Sequence, residues 1–138
     1  MWREISSWFS VKKGSAAKVN RKRDGHWKEF SKHGILIKEG DYRDGHKTGK
    51  WKLYYETGRI AIEETYSEGK KEGPFQSFYE TGQPISEGQY RDGKREGRFN
   101  VFDISGKLVK TMVLKDDVLV DEEIFEKEHK PAKPVLQD

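Results

Sequence analysis

A chain of 138 residues has room for one ordinary domain, but with 37% charged and only 33% hydrophobic residues it cannot build a large two-layer core. Aromatics at 12% argue against disorder, and the lack of cysteine excludes disulfides, thiolate metal sites and a cysteine nucleophile. The net charge of +3 is uneven: residues 1–24 carry a surplus of five positive charges, 25–120 of one, and 121–138 a deficit of three, so no basic stripe for nucleic acid runs along the middle.

The chain opens on MWREISSWFS. Wound as a helix, this segment gathers Trp2, Ile5, Trp8 and Phe9 within a third of the circumference, with Arg3, Ser6, Ser7 and Ser10 opposite. Basic residues follow, Lys12 and Lys13 first, then Lys18, Arg21, Lys22 and Arg23. Residues 1–24 are thus expected to form a short amphipathic helix and a basic linker. Three roles compete for Trp2, Ile5, Trp8, Phe9, Lys12 and Lys13: a cap over an open sheet edge, a membrane-surface anchor, or a helix that docks on a partner.

From residue 25 to 120 a shift of 24 residues lays the chain on itself without gaps. Gly25, Gly49, Gly73 and Gly97 share one column, Gly34, Gly58, Gly82 and Gly106 a second, and Gly45, Gly69 and Gly93 a third that ends at Asp117. Trp27, Trp51, Phe75 and Phe99 align, as do Phe30, Tyr54, Phe78 and Phe102, and Tyr42, Tyr66 and Tyr90 followed by Leu114. Glu39, Glu63 and Glu87 form an acidic column that ends at Thr111. A fixed period of this size marks a repeat architecture of four units.

Each unit reads as two strands. WKLYY, Trp51 to Tyr55, is rich in β-favouring residues; Glu56-Thr57-Gly58 supplies a tight turn; Ile60 to Tyr66 returns. Glu68 to Gly73 reads as a polar connection to the next unit. Strands of five to seven residues, eight or nine in all, then make an all-β, elongated, single-layer antiparallel meander. Equivalent aromatics would lie roughly 10 Å apart, with a bulky ring of one unit covering a small residue, often glycine, on the next strand. Stacking of neighbours, without a central core, holds such an array together.

The remaining candidates for chemistry are weak. Acids recurring once per unit lie about 10 Å apart, near the upper limit for an acid–base pair, and suit cross-strand charge partners better. His26, His33, His46 and His129 follow no metal-ligand spacing. The glycines of EGKKEG and DGKREG have hairpin spacing and fail the context of a phosphate-binding loop. No catalytic, metal or cofactor site is expected. Aromatic rings that a single layer leaves uncovered are the candidate interface: Tyr42, Tyr66 and Tyr90 in one column, and Tyr55 and Tyr79 in another.

Val118 to Phe125 has the character of a closing strand, with acids that discourage edge pairing, so residues 121–138 hold the end of that strand and a tail containing two prolines. No apolar run approaches the ~18–20 residues that span a bilayer, and the N-terminus lacks a secretory signal's continuous apolar core. A cytoplasmic chain, peripheral to a membrane if the N-terminus anchors it, is the expectation.

The pattern G-x-W/F-x-x-Y/F-x-x-x-G, then E-x-x-Y-x-x-G-x-x-x-G, resembles the MORN-repeat variant of many bacterial proteins. The segments from Gly49 to Gly73 and from Gly73 to Gly97 carry it most fully, while the fourth copy loses the Glu, Tyr and closing glycines. The chain is also similar to antitoxins of the YwqK type. The resemblance implies a twisted or curved antiparallel sheet used for protein or lipid contact. The functional expectation is therefore a non-enzymatic module that binds a partner protein, in an antitoxin- or immunity-like form. Its alternative is a peripheral membrane scaffold that holds anionic lipid through the N-terminal basic segment.

Overall fold

The computed structural model describes residues 22–125. Nine strands make up the regular structure there: β1 (Gly25–Phe30), β2 (Leu36–Arg43), β3 (His46–Tyr54), β4 (Ile60–Ser67), β5 (Lys70–Phe78), β6 (Pro84–Arg91), β7 (Lys94–Phe102), β8 (Leu108–Lys115) and β9 (Val118–Ile124). They form one open antiparallel sheet in the order of the chain, each strand paired with its sequence neighbours. The meander expected from the repeats is what the chain adopts. The helix expected over the first ten residues, with Trp2, Ile5, Trp8, Phe9, Lys12 and Lys13, lies outside the described residues, as does the tail from 126 to 138.

Two kinds of turn alternate, one at each end of the strands. At one end Tyr55 N–H donates to the Arg59 carbonyl (2.8 Å) and Gly58 N–H to the Tyr55 carbonyl (2.9 Å), an arrangement repeated from Ser31, Tyr79 and Asp103. At the other end Asp44-Gly45, Glu68-Gly69, Asp92-Gly93 and Asp116-Asp117 make two-residue turns with positive φ at both positions. Turns of that hand match the twist of the flanking strands, which is why Asp-Gly recurs there.

The strands are longer than expected, eight or nine residues in most cases. Lys70 to Gly73 is not a connection; it opens β5. Its polar character misleads because a single layer lets strand residues meet water on either face. Gly73 (φ 101°) instead sits within a bulge, as do Gly49 (φ 67°) and Gly97 (φ 80°). Against β2, β3 advances four residues from Thr48 to Lys52 while β2 advances two, between Asp41 and Glu39. The same step recurs between β4 and β5 and between β6 and β7. Left-handed backbone at the extra residues is cheap for glycine alone, so this column is a register device.

Units are tied by more than the sheet ladder. Gly45, Gly69, Gly93 and Asp117 N–H groups donate to the carbonyls of Arg23, Lys47, Lys71 and Arg95, at 2.9, 3.0, 2.9 and 3.0 Å. Each two-residue turn is thus tied to the backbone 22 residues earlier in the chain. Among the described residues full burial is sparse: Gly40, Trp51, Phe99 and Leu114 on one face and Thr111 on the other.

Candidate functional site

The two faces of the sheet differ. On one, a single row crosses all nine strands: Glu39 stands opposite Lys28 and Lys52, Glu63 opposite Lys52 and Gln76, Glu87 opposite Gln76 and Asn100, and Thr111 opposite Asn100 and Glu123. Glu39 and Glu63 thus have lysine opposite them, whereas Glu87 lies between the neutral side chains of Gln76 and Asn100, which donate to it. Glu39 accepts from the Tyr54 hydroxyl at 2.6 Å, which, with His26, holds its carboxyl below the ordinary range. Burial, reinforced by Glu39, pushes the Tyr54 hydroxyl up to about 12. His26 bridges Asp41 through Nδ1 and Glu39 through Nε2, both at 2.9 Å, and the Asp41 bond followed by the Glu39 bond raises its pKa. The two ring nitrogens serve separate carboxylates. Among the described residues no group of three or more His, Asp or Glu side chains could hold a metal ion.

The opposite face carries two groups of packed rings. Trp27, Tyr42, Trp51 and Tyr66 follow one another edge to face, with centroids 6.1, 5.1 and 6.3 Å apart. A second group joins Phe75 to Tyr90 (5.6 Å), Tyr90 to Phe99 (6.0 Å) and Phe75 to Phe99 (6.3 Å). Edge-to-face pairs of this spacing add about 0.5–1.5 kcal/mol beyond the area they bury. Trp51 and Phe99 lie over Gly40 and Gly88, where any side chain would strike the ring. Small residues do accommodate bulky ones, as expected, but on the preceding strand rather than the following one.

What separates the two groups is Glu64, which occupies the position of Gly40 and Gly88 one unit along and stands opposite both Trp51 and Phe75. Its side chain is 11% exposed and pairs with Lys71 Nζ at 3.0 Å. It also accepts from the Tyr66 hydroxyl at 2.8 Å. Burial, then the Glu64 bond, raises the Tyr66 pKa far above that of a free tyrosine.

Cations cover the rings. The Arg23 guanidinium lies 4.4 Å from the Trp27 ring centre and 5.4 Å from that of Tyr42. Lys47 Nζ lies 4.8 Å from Trp51 and 4.9 Å from Tyr66, and Lys71 Nζ 4.9 Å from Tyr90. Arg23, Lys47, Lys71 and Arg95 form a column spaced by 24 residues, a signal legible in the sequence but hidden inside stretches taken for connections. Two open clefts result. One, about 480 Å³, is walled by Arg23, Trp27, Tyr42, Lys47 and Trp51. The other, about 670 Å³, is walled by Tyr66, Lys70, Lys71, Tyr90 and Arg95.

The five candidate tyrosines divide. Tyr42, Tyr66 and Tyr90 share the ring face and, half-buried, border the clefts. Tyr55 and Tyr79 border neither cleft, and their hydroxyls donate to the Phe78 and Phe102 carbonyls of the following unit, at 2.5 and 3.0 Å. They are ties between units.

Three stretches of the chain, residues 23–44, 47–68 and 71–92, match the MORN repeat variant family. The second and third matches each run from one two-residue turn to the next, and the first ends at such a turn. The matched residues end at 92, whereas β7, β8 and β9 continue the same sheet beyond them. Repeats of this kind commonly mediate protein or membrane interactions. Among solved structures the chain is similar to TarM, at 12% identity and a TM-score of 0.46, over 85% of this chain and 23% of that one. The chain thus spans under a quarter of TarM. No curated protein gives a significant match.

Proposed function

We propose that this array of MORN-type repeats is a non-enzymatic module that holds a partner protein against its ring-bearing face, with antitoxin- or immunity-like neutralisation as the specific form of that role. The observation that carries the reading is the row of half-buried Tyr42, Tyr66 and Tyr90 beside Arg23, Lys47 and Lys71. Tyrosine, tryptophan and arginine dominate binding hot spots, because they bring large rigid area at low entropic cost. A stacked sheet pre-orders them, so little of the binding energy goes into ordering loops. The acids on the other face are already committed to cross-strand partners, which supports a role without catalysis.

Affinity capture with the full chain tests this. The expected result is one partner protein recovered in stoichiometric amount, and lost with Tyr90→Ala or Lys47→Ala while circular dichroism stays native. Exposed Gln89, on the polar face, provides the control: Gln89→Ala should capture normally. Recovery of no partner, or equal recovery by all variants, contradicts the reading.

A second reading rests on the surplus of five positive charges in residues 1–24. It makes the protein a peripheral cytoplasmic scaffold on anionic membrane, held by that segment. Co-sedimentation with phosphatidylserine vesicles, with and without residues 1–24, decides it: loss of binding on deletion supports it, and equal binding or none removes it.

A further inference from the structure

The last strand differs from the other eight. All seven residues of β9 are exposed. Ile104 excepted, every exposed large apolar side chain among the described residues lies between Val118 and Phe125, with Val118 62% and Ile124 60% exposed. An edge strand of this kind presents unpaired backbone groups to solvent, and proteins ordinarily blunt it. Among the described residues the only such device on β9 is its acids, Asp121, Glu122 and Glu123.

Those acids also say what fits. Glu122 pairs inward with Lys110 at 3.0 Å. Glu123 ends the cross-sheet row opposite neutral Thr111, and Asp121 stands opposite Val113. Neither Asp121 nor Glu123 makes an ion pair among the described residues, whereas Glu39, earlier in that row, has a lysine on both sides. Asp121 and Glu123 are thus acids on an exposed strand that no cation pairs among the described residues.

We propose that the β9 edge accepts an extended strand from a partner protein, one with lysine or arginine at alternate positions facing Asp121 and Glu123 and apolar residues between them. Main-chain hydrogen bonds supply affinity in such strand addition, and side chains supply selection. A second copy fits poorly. Antiparallel self-pairing centred on Asp121 sets that carboxylate against its own copy, which is destabilising. Stacking β1 of another copy on β9 with polar faces matched forces a parallel pair, because an odd number of strands makes β1 and β9 run the same way.

The test uses the full chain and a fluorescent peptide alternating valine with lysine, read by anisotropy. Phe125 N–H donates inward to the Val109 carbonyl at 2.8 Å, so alternation turns the Ile124 amide outward. Ile124→Pro removes that outward donor, and proline is tolerated at such an edge. The proposal expects saturable binding of the lysine peptide, none of a valine–glutamate peptide, and roughly tenfold or greater weakening by Ile124→Pro. The Asp121→Lys/Glu123→Lys double variant should reverse the preference. Tyr90→Ala should bind the peptide normally, so failure here and failure of the ring-face reading are separable. No saturable binding, equal binding of both peptides, or indifference to Ile124→Pro overturns the proposal. Self-association of the full chain that Ile124→Pro abolishes would also overturn it, assigning the edge to a second copy.

Discussion

The indole of Trp51 lies directly on Gly40, leaving no room for a side chain at that position, and Trp51 is consequently 1% exposed. The same relation joins Phe99 to Gly88, where an added Cβ would come within 2.6 Å of the ring. Glycine on one strand is thus what lets the next unit's ring reach the backbone.

This relation sets the first expectation. Gly40→Ala should destabilise the chain by about 1–3 kcal/mol through overpacking. Trp51→Ala should cost about 3–5 kcal/mol, and Trp27→Ala less, because Trp27 is only half-buried. Urea unfolding of the three variants gives the order. A Gly40→Ala variant as stable as the wild type would mean the ring does not need the glycine.

Tyr55 and Tyr79 lend themselves to a subtler measurement. Each hydroxyl bonds a carbonyl of the following unit, so Tyr55→Phe and Tyr79→Phe should each lower stability by about 0.5–1.5 kcal/mol. They sit one repeat apart with different acceptors, and the double variant should be close to additive. Partner capture should be unchanged by either.

His26 predicts a pH dependence at the β1 edge. Donating to Asp41 and Glu39 at once requires the imidazolium, and those two bonds raise its pKa above the ordinary 6.5. A raised histidine stabilises fully below its unfolded value, and the contribution fades as pH climbs through the folded one. Glu39, lowered by Tyr54 first and His26 second, acts in the other sense: its contribution is present above the ordinary carboxylate range and lost as pH falls through the depressed value. Lys28 and Lys52 stand opposite Glu39 on the two flanking strands. Amides of β1 should therefore exchange most slowly, relative to the intrinsic rate, in mildly acidic solution, and lose protection toward alkaline pH. His26→Gln should flatten the alkaline limb. An unchanged profile in that variant would remove the lock.

Much of this fold is legible in the sequence because each repeat repeats its errors and its signals alike. Asp44-Gly45 and Asp92-Gly93 announce turns, and Glu56-Thr57-Gly58 another, all found where expected. The register is less legible. Gly49, Gly73 and Gly97 look like turn glycines, yet they serve bulges inside strands, because a bulge and a turn ask for the same left-handed backbone. The cation column is hidden for a related reason: Lys71 reads as part of a polar connection, while the aliphatic stems of Lys47 and Lys71 let their charged ends sit over rings. Tyr55 and Tyr79 share the composition of an interface, and only their hydroxyl acceptors reveal them as ties. Glu64, the one acid in a column of glycines and Met112, breaks the repeat and divides the ring face, a departure visible in the sequence as soon as that column is written out.

Native-state amide hydrogen exchange, resolved strand by strand, bears most directly on the idea that each hairpin is held by its neighbours. Stacking without a shared core predicts a gradient: slowest exchange in β4, β5 and β6, faster toward both ends, fastest in β9, with strands released in pairs. Equal protection across all nine strands, lost in one step, would contradict it.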